Sequence, residues 1–121
     1  MAYDQNNIFA RILRGEIPNK TVYEDDHVLA FEDIHPQAPV HVLMIPKGAY
    51  VDMVDFSENA TDPELSAYAR AIGRIAAQLG LSEGGVRTIS NNGTAGSQDV
   101  PHPHTHILGG RLHGRMLRAE R

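Results

Sequence analysis

Three histidines stand at alternate positions in His102-Pro103-His104-Thr105-His106-Ile107-Leu108. In extended backbone successive side chains point to opposite faces, so the three imidazoles share one face and Pro103, Thr105 and Ile107 the other. Neighbouring rings then start roughly 6.6 Å apart, twice the rise per residue. A tetrahedral phosphate fits that spacing: one ring reaches phosphorus while the next donates hydrogen bonds to its oxygens or to a leaving group. His104 is flanked on both sides and is the expected nucleophile. An imidazole attacks only when neutral, and an unperturbed histidine is largely neutral near pH 7. Neighbouring imidazoles oppose one another's charging, so the cluster should titrate as a coupled set. The natural division has neutral His104 attacking and a protonated His106 stabilising the phosphoryl oxygens.

A metal centre is the competing chemistry. Two histidines on a strand can bind zinc at about 2.0–2.1 Å. The outer pair, however, begins about 13 Å apart, so three rings cannot easily converge on one ion without a further ligand such as His41 or Asp33. The chain has no cysteine, which removes disulfides, thiolate nucleophiles and thiolate zinc sites together. Phosphate chemistry is therefore expected, with no metal and no cofactor.

The elements that must hold these residues fit one domain spanning residues 1–121, with no room for a second core. Hydrophobic residues make up 41% of the chain and charged residues 21%, a balance that suits a modest globular interior. The net charge of −4 leaves no strongly basic face for a polynucleotide. Arg111, Arg115, Arg118 and Arg121 cluster near the C-terminus and read as a solvated tail. No segment reaches membrane-spanning length and Met1–Arg14 lacks an apolar signal core, so the expected compartment is the cytoplasm.

Along the chain, Ile8 to Leu13 has the spacing of a short helix stopped at Gly15. Thr21 to Ile34 reads as two strands turning at Glu24-Asp25-Asp26, and Val40 to Ile45 as a central strand buried on both faces. A second helix is expected from an Asp62 N-cap, with Pro63 in its first turn, to Gly80; Gly73 within it either weakens the helix or admits a close neighbour. A strand follows over Val86 to Ile89, then a polar loop from Asn91 to Ser97, then a last strand from about Val100 to Leu108. Pro101 and Pro103 remove backbone donors, which places the entry to that strand at a sheet edge or cleft rim. The sum is an α+β domain, a mainly antiparallel sheet with two helices.

With these residues in hand, the chain resembles the histidine triad (HIT) superfamily, and within it the Hint-like nucleoside phosphoramidases. The likeness extends beyond the triad. It includes Ile8-Phe9-Ala10-Arg11-Ile12-Leu13-Arg14-Gly15-Glu16-Ile17-Pro18, then Phe31-Glu32-Asp33-Ile34-His35-Pro36-Gln37-Ala38-Pro39-Val40-His41 with Ile45-Pro46-Lys47. It continues with Asn91-Asn92-Gly93, Gly96, Gln98, Val100 and Gly109-Gly110-Arg111, all in family order. The resemblance implies a five-stranded antiparallel sheet with two helices, in a homodimer sharing a ten-stranded sheet. It further implies hydrolysis of a purine nucleoside 5′-phosphoramidate through a nucleotidyl-histidine. His104 would be the nucleophile, His106 the phosphate and leaving-group contact, and His102 and His41 supporting members. Asn91 and the backbone of Gly96, Gln98 and Asp99 would contact phosphate, Asp33 the ribose hydroxyls, and Ile8, Phe9, Ile12, Phe31 and Ile34 the base.

Those apolar residues equally suit a core, Asp33 a turn, and His41 a satisfied core histidine. His27, His35 and His113 read as surface residues. Three departures from the family pattern stand out. Pro103 and Thr105 replace large aliphatics behind the triad, Asp99 stands where relatives often carry a serine, and no cysteines are present for zinc. Dinucleoside polyphosphate hydrolysis and a non-catalytic nucleotide-binding module are the competing functions. The expected partner is a purine nucleoside monophosphate or its conjugate, with no nucleic-acid polymer and no membrane.

Overall fold

The computed structural model describes residues 2–118. Asn7 caps the first helix, α1 (Ile8–Leu13), by accepting from the Ala10 amide, and Phe9, Ala10 and Ile12 form its buried side. Then come β1 (Thr21–Glu24), β2 (Val28–Glu32) and β3 (Val40–Pro46). The β1–β2 turn is built by Asp25, whose Oδ1 accepts from the amides of His27 and Val28. After these lie α2 (Met53–Asn59), α3 (Asp62–Gln78), β4 (Arg87–Ile89) and β5 (Thr105–Gly109). All pairings are antiparallel and the sheet order is β1-β2-β3-β5-β4, so β3 is central as its apolar run requires. No helix of the described residues is long and apolar enough to cross a membrane.

The pleat divides the core in two. Val28 and Ala30 of β2, Val42 and Met44 of β3 and Ile107 of β5 pack under Phe56 of α2 and Tyr68, Ala71 and Ile75 of α3. On the opposite face Leu29, Phe31, Leu43 and Ile45 pack against Phe9 and Ile12 of α1. The single α1 turn-and-a-half covers only part of that second face. The histidines occupy the part beside it.

Four expectations are corrected. There are three helices rather than two, because α2 was not foreseen: its seven residues bury only Phe56, too few to make an apolar stripe. The cap of α3 is Thr61, not Asp62; the Thr61 hydroxyl accepts from the Glu64 amide and Glu64 Oε1 from the Thr61 amide, a reciprocal pair that fixes the cap three residues before the glutamate. Of the two readings of Gly73, the structure keeps the weakened helix, since a methyl group there would meet open space. The last strand begins at Thr105, not Val100, because neither Pro101 nor Pro103 can donate to a ladder and the His102 amide turns back onto the Val100 carbonyl at 2.8 Å. The entry to β5 is thus irregular rather than at a sheet edge: β5 pairs with β3 and β4 on its two sides, and Pro103 is fully buried. Of the tail arginines, Arg111 donates to the Gln37 carbonyl at 3.2 Å, Arg115 and Arg118 are exposed, and Arg121 lies outside the described residues.

Candidate active site

Although only His106 of the three lies within β5, the rings stay on one face of the sheet. Phe9 of α1 meets His104 edge-on at a centroid distance of 5.0 Å and His102 at 6.1 Å. His104 and His106 are 5.4 Å apart, and His41 on β3 adds a fourth ring 5.1 Å from His106. Hydrogen-bond partners then decide which nitrogen of each ring carries the proton.

His102 is completely buried. Its Nε2 faces the Pro46 carbonyl at 2.8 Å and must donate, which leaves Nδ1 to accept from the Tyr3 hydroxyl at 2.6 Å. Burial, reinforced by His104, pushes its pKa down to about 4, so the ring is neutral at pH 7. His104 Nδ1 donates to the His102 carbonyl at 2.8 Å, so the lone pair of the neutral ring lies on Nε2. On the other side, His41 Nδ1 accepts from the Gln37 amide at 3.0 Å, which puts the proton on His41 Nε2. That proton is donated to His106 Nδ1 at 2.9 Å, so His106 carries its own proton on Nε2. The sequence expectation is a protonated His106, and the surroundings of the ring pull against that charge. Burial, then the neighbouring His104 and His41, lower its pKa against the opposing pull of Asp33 and Asp99. The site therefore pairs a lone pair on His104 with an N–H on His106.

Asp33 sits just beyond β2, with Oδ2 3.3 Å from His41 Nε2 and Oδ1 accepting from the His35 amide at 2.8 Å. It is thus both the turn residue and a member of the cluster. Donor atoms of Asp33, His41 and His106 lie within 4.8 Å of one another, a set that could take a divalent cation. The hydrogen bonds described above use the same ring nitrogens, so an ion would have to replace the His41–His106 bond.

The base-slot residues divide by burial. Phe9, Ile12 and Phe31 are core, whereas Ile8 is 44% exposed and Ile34 84% exposed at the rim. Across the histidines, Asn91 and Gly96 lie partly buried in the loop after β4. Gly96 has to be glycine, because a Cβ there would stand 2.5 Å from the Asn92 carbonyl oxygen. The Gln98 amide is spent within the protein, donating to the Val51 and Val100 carbonyls at 2.8 Å each and accepting from the Gly93 amide at 2.9 Å. It shapes the loop, and the backbone amide of Gln98 is spent there too, donating to the Gly93 carbonyl at 3.1 Å. Asp99 is 82% exposed, with Oδ1 3.4 Å from His104 Nε2.

Several supports had no local signal in the sequence. Tyr3 sets the His102 tautomer from 99 positions away, and the Gln37 backbone amide sets that of His41 from the loop just before β3. Asn92 accepts from the Met53 amide at 2.8 Å and ties the loop to the start of α2. Behind the triad, Thr105 Oγ1 lies 2.7 Å from the Tyr68 hydroxyl and 2.8 Å from the Ser90 hydroxyl, while Tyr68 donates to the Met44 carbonyl at 3.0 Å. The unusual threonine is therefore a satisfied buried polar group rather than a packing fault. His113, read as a surface residue, is half-buried, and its Nε2 has no partner among the described residues.

Known proteins share this fold. A HIT protein of Clostridium difficile superposes with a TM-score of 0.83 at 39% identity, covering 96% of this chain and 100% of its own. A structure described as a HIT family hydrolase from Clostridium thermocellum gives 0.84 at 39% identity, covering 94% and 99%. In sequence, an uncharacterised HIT-like protein of Azospirillum brasilense is 56% identical over 115 residues, 95% of this chain and 94% of its own. The purine nucleoside phosphoramidase of Escherichia coli is 43% identical over 113 residues, 93% and 94% of the two chains. The family model for the HIT domain matches residues 14–113, from the end of α1 through the triad. With a lone pair, an N–H and a carboxylate gathered on one sheet face by that fold, the chain belongs to the HIT domain family.

Proposed function

We propose that the protein hydrolyses purine nucleoside 5′-phosphoramidates by way of a nucleotide covalently attached to His104. The observation that carries this reading is the pair of fixed tautomers: His104 offers Nε2 as an unprotonated nitrogen and His106 offers Nε2–H beside it. In the first step the His104 lone pair forms a bond to the α-phosphorus while the phosphorus–nitrogen bond breaks. The departing amine leaves with a proton taken up from solvent, while His106 Nε2–H, the one proton of a neutral ring, stays as a hydrogen-bond donor to the phosphoryl oxygens and the leaving group. In the second step water attacks phosphorus, its proton passes to solvent, and the phosphorus–Nε2 bond breaks to release nucleoside monophosphate and the neutral His104 ring. Neutral His102 holds the His104 ring through its carbonyl, and His41 holds His106.

Asp33 is assigned the ribose hydroxyls, to which a carboxylate can offer two acceptors. Ile8 and Ile34, exposed beside buried Phe9, Ile12 and Phe31, would close on the purine. Asn91 and the backbone from Gly96 to Asp99 would receive the phosphate. The working molecule is taken to be a cytoplasmic homodimer. The phosphoramidase name of the relative in Escherichia coli supports the substrate class. Dinucleoside polyphosphate hydrolysis would use the same nucleophile with another leaving group.

The test is release of adenosine monophosphate from an adenosine 5′-phosphoramidate by wild type and His104→Ala. Turnover should disappear in the variant while nucleotide binding persists. An active variant would remove His104 from the role, and binding without turnover in wild type would make the protein a nucleotide-binding module.

A further inference from the structure

The group nearest the nucleophilic lone pair is a carboxylate. Asp99 Oδ1 stands 3.4 Å from His104 Nε2, on a side chain that is 82% exposed. Among the described residues no lysine or arginine lies within ion-pair distance of it. Five basic side chains are engaged elsewhere: Arg11 and Arg14 on Glu16, Lys47 on Glu24, Arg74 on the Tyr23 hydroxyl and Arg87 on the Gly114 and Arg115 carbonyls. The second carboxylate of the site, Asp33, sits at its other side against His41.

A phosphate brought to Nε2 must displace the Asp99 carboxylate, and an exposed side chain can turn aside to allow it. It cannot go far. Its backbone is held between Gln98, tied by its amide to Val51, Val100 and Gly93, and Val100, whose carbonyl accepts from the His102 amide. The carboxylate therefore stays at the open mouth, and the mouth is where a leaving group must lie. In-line displacement puts that group opposite Nε2, and the His104 ring itself is enclosed by Phe9 and the sheet. Charge on the leaving group is thus read by an unneutralised carboxylate a few ångströms away.

We propose that Asp99 selects the leaving group by charge, favouring phosphoramidates whose departing amine carries a positive charge and disfavouring those ending in a carboxylate or polyphosphate. This rests on the phosphoramidase reading and names its substrate class more narrowly. At the edge of a solvated mouth the preference should be on the order of fivefold for each unit of charge and should shrink with added salt.

The experiment uses three adenosine 5′-phosphoramidates on amine linkers of equal length, ending in an ammonium, a hydroxyl or a carboxylate. Values of kcat/KM are compared for wild type, Asp99→Asn and Asp99→Glu at low salt. Any shared effect of the substitution on phosphate binding or on the nucleophile cancels in the ratios between substrates. Wild type and Asp99→Glu should prefer ammonium over hydroxyl over carboxylate, and Asp99→Asn should bring the three to within about twofold. The same ratios in wild type and Asp99→Asn overturn the proposal and leave the phosphoramidase reading standing. Hydrolysis of none of the three by wild type overturns both.

Discussion

At the scale of the residue, the chemistry depends on which ring nitrogen holds a proton, and a hydrogen-bond partner sets each ring: Pro46 and Tyr3 for His102, the His102 carbonyl for His104 and His41 for His106. His102 is the clearest case, because the Pro46 carbonyl and the Tyr3 hydroxyl occupy both its nitrogens. Its pKa falls from 6.5 to about 4 on folding. The unfolded chain therefore takes up a proton at a pH where the folded one does not. The stability this neutral ring contributes is complete above about pH 6.5 and lost as pH falls towards 4, about 3 kcal/mol over the window. His106, lowered in the same direction, adds to it. Urea unfolding at pH 7.5 and 4.5 should show this loss, and His102→Gln should be less stable at pH 7.5 but less sensitive to acid. An equal loss in both proteins would place the acid sensitivity elsewhere. Asp33 belongs to the same scale. With its carboxylate assigned to the ribose, Asp33→Ala should raise KM about tenfold with a smaller change in kcat, and an unchanged KM would return Asp33 to its turn.

At the scale of the element, α1 and α3 serve different purposes. The six residues of α1 bring Phe9 against two of the histidines, and their cover of the sheet stops where the site begins. The seventeen residues of α3 pack the opposite face and carry Tyr68 to the back of Thr105, so the strand bearing His106 is fastened from behind. Because α3 is long, capped and anchored by Tyr68, Ala71 and Ile75, its exposed side is free of packing constraints. Gly73 lies on that side with open space around it. Gly73→Ala should raise stability by about 1 kcal/mol, the helix-propensity difference, without altering turnover. A destabilised variant in thermal unfolding would show that the position packs against another copy of the chain.

At the scale of the molecule, the sheet ends in two edge strands, β1 and β4. β4 is an edge strand of three residues with its outer backbone groups unpaired by the sheet. Beside it lies a cavity of about 530 Å³ whose lining includes Leu81, Val86, Arg87 and Leu112. The tail beyond β5 carries Leu112, Met116 and Leu117, each more than three-quarters exposed. An open edge, an adjacent apolar cavity and exposed apolar side chains on one side of a small domain suit a second copy, as the proposed homodimer requires. Sedimentation equilibrium at micromolar concentration should return twice the 13.3 kDa chain mass. A monomeric mass would leave that edge to some other partner.

The sequence alone was enough for features that repeat along a few residues. Alternation put His102, His104 and His106 on one face, the apolar run placed β3 at the centre, and helical spacing outlined α1 and α3. The histidines were legible as residue types at fixed spacing, whereas the proposed base slot and the proposed role of Asp33 came from the family resemblance. What remained was decided by groups that meet only when the sheet closes. While His104 and His41 are set by partners close in the chain, Tyr3 reaches His102 across 99 positions and His41 reaches His106 across 65, so those two rings are set by long-range contacts. The start of β5, the helix α2 and the partners of Thr105 have the same origin. Periodicity is a property of neighbouring residues, whereas satisfying a buried donor or acceptor depends on which distant segment folding brings beside it.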